Sequence, residues 1–237
     1  MKRLIIIVAT ALLLTVSFQS QAHEDGQWIL RGGVGVVDPK SGNLDLGSLD
    51  LGGGVSLTSA SIEVDSATSL TLSGTYMITE NWAFDILAAW PFKHDINIAA
   101  SISDGVDTVA GKVRIAEVEH LPPTFSLQYH FIPDGKFQPY VGAGVNWTTF
   151  FSEKVSSDAS DLGIVSLELD DSIGIAAQVG ADWLMGDRWL VNLDLRWINI
   201  ETDVTGTVDD GTGPATGELG TVKIDPLVYS LNIGYRF

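Results

Sequence analysis

Residues 82–92 alternate without a break. Trp82, Phe84, Ile86, Ala88, Trp90 and Phe92 fall on one side of an extended chain, and Ala83, Asp85, Leu87, Ala89 and Pro91 on the other. Successive side chains of a strand point to opposite faces, so this pattern predicts a strand with one apolar face. The end of the chain repeats it, with Tyr229, Leu231, Ile233, Tyr235 and Phe237 set against Ser230, Asn232, Gly234 and Arg236. Six further segments fit the same template, at 27–37, 69–78, 124–131, 140–150, 172–184 and 189–200. The connections alternate in length. Thr79-Glu80-Asn81, Pro133-Asp134-Gly135-Lys136 and Met185-Gly186-Asp187 are short and turn-like, whereas 38–68, 93–121, 151–171 and 201–223 are long, polar and rich in Gly, Ser and Asp.

Strands of about ten residues, joined by alternately short and long connections, predict an all-β fold: an eight-stranded antiparallel up-and-down transmembrane β-barrel. Short turns then belong on the periplasmic side and long loops outside, which places both the N- and C-termini at the periplasmic end. The seven tryptophans agree with this layout. Trp28, Trp82, Trp183 and Trp189 fall at the expected periplasmic strand ends, and Trp90, Trp147 and Trp197 towards the other ends, as two interfacial belts require.

Composition narrows the class further. Lys2 and Arg3 precede an apolar run, 4–16, interrupted only by Thr10 and Thr15, and Ser20-Gln21-Ala22 supplies the small residues read by a signal peptidase. Residues 1–22 are therefore expected to be a secretory signal peptide, and 23–237 the barrel. The run is too short for a membrane-spanning helix, which needs roughly 20 apolar residues. The chain is 45% hydrophobic yet carries a net charge of −17, a combination that fits apolar residues facing lipid and acids held in loops. Such acidity speaks against nucleic acid as a partner. Cysteine is absent, which removes disulfide frameworks and cysteine-based metal sites.

Several strings resemble the OmpW family of small outer-membrane barrels. They are His120-Leu121-Pro122-Pro123-Thr124, the run 139–146 (Pro139-Tyr140-Val141-Gly142-Ala143-Gly144-Val145-Asn146) continuing through Thr148-Thr149-Phe150-Phe151, and Gln178-Val179-Gly180. Trp189-Leu190-Val191-Asn192, Ile224-Asp225-Pro226 and the ending Gly234-Tyr235-Arg236-Phe237 extend the match over essentially the whole exported chain. The string 202–207 is similar to the AlkL-type, alkane-uptake branch. The resemblance implies a barrel in the outer membrane of a Gram-negative bacterium, associated with passage of small hydrophobic molecules. It also implies an apolar constriction in the lumen, in which Leu87 matches one position. The other matching position, a tryptophan in some members, is Arg196 here, a departure that puts a purely apolar gate in doubt. The aromatic C-terminus is similar to the assembly signal read by the outer-membrane barrel assembly machinery.

Eight strands enclose a bore that side chains nearly fill. On the inward positions stand Arg31, Asp85, Asp182 and Arg236 near the periplasmic end, with Asp194 and Arg196 further up. Buried charges must pair, so these six are expected to form an ion-pair plug. Ile29, Met77 and Leu190 are additional inward apolar candidates for the constriction. A charged plug would stop an apolar solute, which would then need a side exit. Pro91 ends the third strand and Pro122-Pro123 begins the fourth, so both neighbours lack ladder donors at a similar height. The seam between them is the expected lateral opening for small hydrophobic solutes that enter through the loops.

Catalysis finds no support. Ser126 and His130 share a face of one strand but lie roughly 13 Å apart at the strand rise, too far for a nucleophile and its base. No cofactor is implied, and the glycine strings Gly32-Gly33-Val34-Gly35 and 52–54 lack the context of nucleotide loops. His94 and His120 flank the second long loop and, with Asp95 or Glu119, could in principle hold a metal; polar loop surface is the favoured account. Asp38, Asp45, Asp50, Glu63 and Asp65 lack EF-hand spacing, and solvated acidic loops bridged to lipopolysaccharide by divalent ions fit them better. The expected function is passive uptake of small hydrophobic molecules. A receptor or structural barrel is the alternative, and a lipid-modifying enzyme a more distant one.

Overall fold

The computed structural model describes residues 23–40, 44–52, 55–104, 106–161, 163–209 and 211–237. The expected signal peptide, 1–22, lies outside them. In chain order the strands are β1 (Trp28–Asp38), β2 (Leu44–Gly52), β3 (Val55–Val64), β4 (Ala67–Met77), β5 (Trp82–Ala89), β6 (Phe92–Ser103), β7 (Thr108–Leu121), β8 (Thr124–His130) and β9 (Phe137–Val155). A short helix, α1 (Ser157–Asp161), leads into β10 (Ile164–Leu169), β11 (Ser172–Met185), β12 (Trp189–Ile198), β13 (Glu201–Asp209), β14 (Pro214–Lys223) and β15 (Leu227–Arg236). The helix starts where the Ser156 hydroxyl accepts from the Ala159 amide at 3.1 Å, a side-chain N-cap.

Eight strands close the barrel in the order β1, β4, β5, β8, β9, β11, β12, β15. The last meets the first along a ladder running from Ile29 opposite Arg236 to Asp38 opposite Leu227. Closure gives each of these eight strands a partner on both sides, the condition a sheet must meet where no water can satisfy its backbone. All eight expected strands are present. Outward side chains along them are apolar and bare, as at Leu72 (58% exposed), Ile175 (63%), Leu193 (62%) and Leu231 (58%). That exposure in rows suits lipid rather than water. The tryptophans all lie on this outer face.

Two sequence expectations give way here. The long connections are largely strands. β2, β3, β6 and β7 continue the wall from the upper half of β9, and β10, β13 and β14 form a separate three-stranded sheet. Inner residues of β3, β6, β7, β10, β13 and β14 cluster with Val37, Phe150, Ile198 and Ile200 into one apolar core above the barrel. Phe92 also changes face. The chain bends at Trp90-Pro91, the alternation resets, and Phe92 points inward at 1% exposure instead of lining up with Trp82 to Trp90.

Candidate functional site

The bore at mid-height is filled by a polar network supplied by the inward positions of different strands. The Arg31 guanidinium on β1 grips Asp182 on β11 with two bonds, Nε to Oδ1 at 3.0 Å and Nη2 to Oδ2 at 2.5 Å. Its Nη1 donates to the Thr75 hydroxyl on β4, which donates to Asp85 Oδ1 at 2.6 Å. Arg196 on β12 donates from Nη2 to Asp85 Oδ2 at 3.2 Å, and its Nε lies 3.5 Å from Asp194 Oδ1. The Tyr140 hydroxyl donates to Asp194 Oδ2 at 2.8 Å, and Asn192 donates to Asp182 at 2.8 Å. Asn232 and Thr71 continue the chain across the barrel, at 2.9 Å to Asn192 and 3.0 Å to Asn232. These groups leave a void of only about 10 Å³, room for about one water. The two-pronged arginine contact is the strong, directional form of ion pair, and its many satisfied acceptors are what make burial of these charges tolerable.

Toward the short turns, Ile29, Met77, Ala83, Leu184 and Leu190 pack into a small apolar floor. Arg236 sits beside that floor, 2% exposed, with Nη2 donating to the Asp187 carbonyl at 3.2 Å. Among the described residues it makes no ion pair, so it closes the turn end instead of joining the network.

Toward the long connections the environment inverts. An apolar cavity of about 250 Å³ opens between two walls. One wall comes from β3, β6 and β7, with Ile62, Ile96, Ile98, Ile115 and Val118. The other comes from β10, β13 and β14, with Leu167, Leu169, Val204, Leu219 and Val222. Among the described residues the polar side chains on its lining are His94 and His120, whose Nε2 atoms meet at 2.9 Å. Burial pulls both imidazoles below the usual histidine range; for His120, with the neighbouring His94 adding to the effect, the pKa falls to about 3. Both rings are therefore neutral at physiological pH.

Between chamber and barrel, one seam is interrupted. The β5–β8 ladder ends with Leu87 opposite Thr124, and pairing resumes in the β6–β7 ladder with Phe92 opposite His120. Residues 88–91 and 121–123 face each other across this gap without ladder pairing; each side is held by its other neighbour, Ala89 opposite Thr71 and Leu121 opposite Thr149. Pro91, Pro122 and Pro123 stand in the gap. A depression of about 360 Å³ over it is lined by Ala88, Ala89, Leu121, Pro123, Trp147 and Thr149. On the inner side Phe92 stacks on His120, their ring centres 5.6 Å apart, and His120 lies 5.8 Å from Phe150.

A family model described as the OmpW family matches residues 24–237. The chain belongs to the OmpW family. It is 40% identical to outer membrane protein W of Vibrio cholerae over 217 residues, 91% of each chain. It is 31% identical to outer membrane protein AlkL of Ectopseudomonas oleovorans over 219 residues, 92% of this chain and 86% of that one. The crystal structure of outer membrane protein OprG from Pseudomonas aeruginosa superposes with a TM-score of 0.73 at 32% identity, covering 92% of this chain and 99% of the other. The protein is thus a Gram-negative outer-membrane β-barrel.

Within this OmpW-family barrel the expected constriction is not one feature. Leu87 and Arg196 stand together beside the polar network, whereas Ile29, Met77 and Leu190 belong to the floor below it. Leu87 is an apolar side chain among polar ones and does not form an apolar ring. The network also holds Thr71, Thr75, Tyr140, Asn192 and Asn232, which charge counting passes over. Tyr140 is accommodated because Gly180 has no side chain: a Cβ there would lie 2.4 Å from the tyrosine ring. His94 and His120 do meet, but Asp95 pairs with Arg114 at 3.1 Å and Glu119 with Lys93 at 3.3 Å, away from the imidazoles. Lys112 bridges Glu63 and Asp65 at 3.3 and 2.6 Å, so part of the acidity of the first long connection is compensated within the wall.

Proposed function

We propose that this OmpW-family barrel is a passive conduit that carries small hydrophobic molecules from outside the cell into the outer membrane. The long-connection end faces the medium, and both termini face the periplasm. Solutes enter the apolar chamber, are stopped by the polar network and leave sideways through the seam at Pro91 and Pro122-Pro123. The observation that carries this reading is the order of environments along the axis: an apolar cavity directly above a bore filled with paired charges. Driving an apolar solute on through that network would strip hydrogen bonds from buried ions without replacing them, a large cost per group. A sideways path into lipid needs no such step.

The conduit has no catalytic step and no energy source beyond the solute gradient. Ser126 and His130 both face the bore, and the His130 Nε2 lies 3.2 Å from Gln128 Oε1, so its hydrogen bond goes to that amide. Insertion is proposed to depend on the barrel assembly machinery reading β15 and Phe237, and the acidic rim to meet lipopolysaccharide through divalent ions.

Uptake of a radiolabelled medium-chain alkane by intact cells, with and without the protein, tests the reading against a small hydrophilic sugar as control. Faster alkane uptake with unchanged sugar uptake is expected. Equal alkane uptake in the two strains would overturn it and leave a receptor or structural barrel.

A further inference from the structure

The His94–His120 pair fixes the proton positions in the chamber. The Asp65 carbonyl lies 2.6 Å from His94 Nδ1 and can only accept, so that nitrogen carries the hydrogen. In the neutral ring the other nitrogen, Nε2, is then a bare lone pair. At 2.9 Å it must receive a hydrogen from His120 Nε2, because two lone pairs at that distance repel. His120, neutral in its turn, is left with a bare lone pair on Nδ1. That atom is buried and has no hydrogen-bond partner in the protein among the described residues. Any other distribution of two neutral rings sets a lone pair against the Asp65 carbonyl or against its neighbour.

A buried acceptor without a donor carries the uncompensated cost of its lost hydration. Here it belongs to a ring that is 5% exposed and lines a chamber whose other described walls are its partner His94, aliphatic side chains, Pro226 and Phe150. Pockets of this kind gain selectivity from one or two placed polar groups in an apolar wall. We propose that His120, through Nδ1, is the hydrogen-bond acceptor of a binding site in the chamber for a molecule with an apolar body and a single hydroxyl donor, an aliphatic alcohol or a phenol. The site rests on the conduit reading only in taking the chamber as the place where solute is held. Pure hydrocarbons gain the apolar walls alone. Alcohols gain the walls and satisfy Nδ1, and the relay from His120 through His94 to the Asp65 carbonyl holds the acceptor in its bare form.

The test uses the full protein in lipid nanodiscs with ¹⁵N-labelled histidine. 1-Octanol is titrated in, and methyl heptyl ether, of the same size and without a donor, serves as its match. The His120 Nδ1 resonance is expected to move on addition of 1-octanol, in the direction of an accepted hydrogen bond, and to stay in place with the ether. Saturation should come at about tenfold lower concentration for the alcohol, since one hydrogen bond to a buried acceptor is worth about that factor. In His120→Leu, folded as judged by its circular dichroism, the alcohol preference should fall to about one. Equal saturation by alcohol and ether in the unaltered protein, or an unmoved Nδ1 resonance, overturns the site whether or not the variant folds. A shifted resonance in a protein that fails to speed alkane uptake would keep the site and remove the conduit; alkane uptake with an unmoved resonance would do the reverse.

Discussion

Arg31 and Asp182 lie 151 residues apart in sequence and are brought within two hydrogen bonds by closure of the barrel. Removing one member of such a pair leaves the other buried without its counter-charge. Asp182→Asn is therefore expected to destabilise the barrel by about 3–5 kcal/mol, whereas Arg31→Met combined with Asp182→Leu should recover most of that loss. Urea unfolding of the protein refolded into lipid vesicles, followed by tryptophan fluorescence, measures both; an Asp182→Asn midpoint equal to that of the unaltered protein would refute the estimate. The charged members of the network were legible in the sequence because an acid or a base on an inward strand position has few alternatives to pairing. Arg236 misleads on the same ground: a backbone carbonyl, which sequence does not mark, stands where an acid was expected. Tyr140, Asn192 and Asn232 were not legible at all. A neutral polar residue facing the bore looks the same in sequence as one facing solvent, and its partners sit on other strands.

Among the elements, the eight barrel strands were legible and the walls of the chamber were not. The barrel strands keep their alternation within the barrel, β9 as far as Phe150. The wall strands break it with β-bulges, at Ile96/Asn97 in the β6–β7 ladder, Glu117/Glu119 between β7 and β9, and Val204/Thr205 between β13 and β14. A bulge resets which residues face inward on the strand that carries it: Ile115 is the extra residue opposite Ile96/Asn97, so Ile115 and Val118, three apart, both face the chamber and fit no single alternation. Proline is informative in the opposite way, since it marks where a ladder has no donor. The interrupted seam coincides with Pro91, Pro122 and Pro123. Replacing all three with alanine restores the amides and should let pairing run on from Leu87 and Thr124. Alkane uptake is then expected to fall several-fold while the heat-modifiable mobility of the folded barrel is unchanged. Uptake that persists undiminished in a folded triple variant would separate the seam from the path.

At the scale of the whole molecule, the barrel sheet and the separate three-stranded sheet together enclose two compartments with opposite chemistry: a bore closed by ion pairs and an apolar chamber standing above it. Both depend on the ladder between β1 and β15. Removing 227–237 leaves β1 and β12 as open edges in a medium that cannot hydrogen-bond them. Such a chain should yield no heat-modifiable folded species after transfer into lipid, whereas the full chain should; a compact folded band from the truncated chain would contradict the closure argument. That same ladder sets an order in time. Among the barrel strands β1 is made first and β15 after the other seven, so the longest-range contact in the barrel is also the one that completes it, and contacts of that kind are slow to form. Until β15 arrives, every earlier strand has to be kept from the aqueous space it crosses, with its lipid-facing Leu, Ile and Trp side chains bare. The interval before β15 pairs with β1 and β12 is therefore the period in which the barrel strands are most exposed to aggregation and proteolysis.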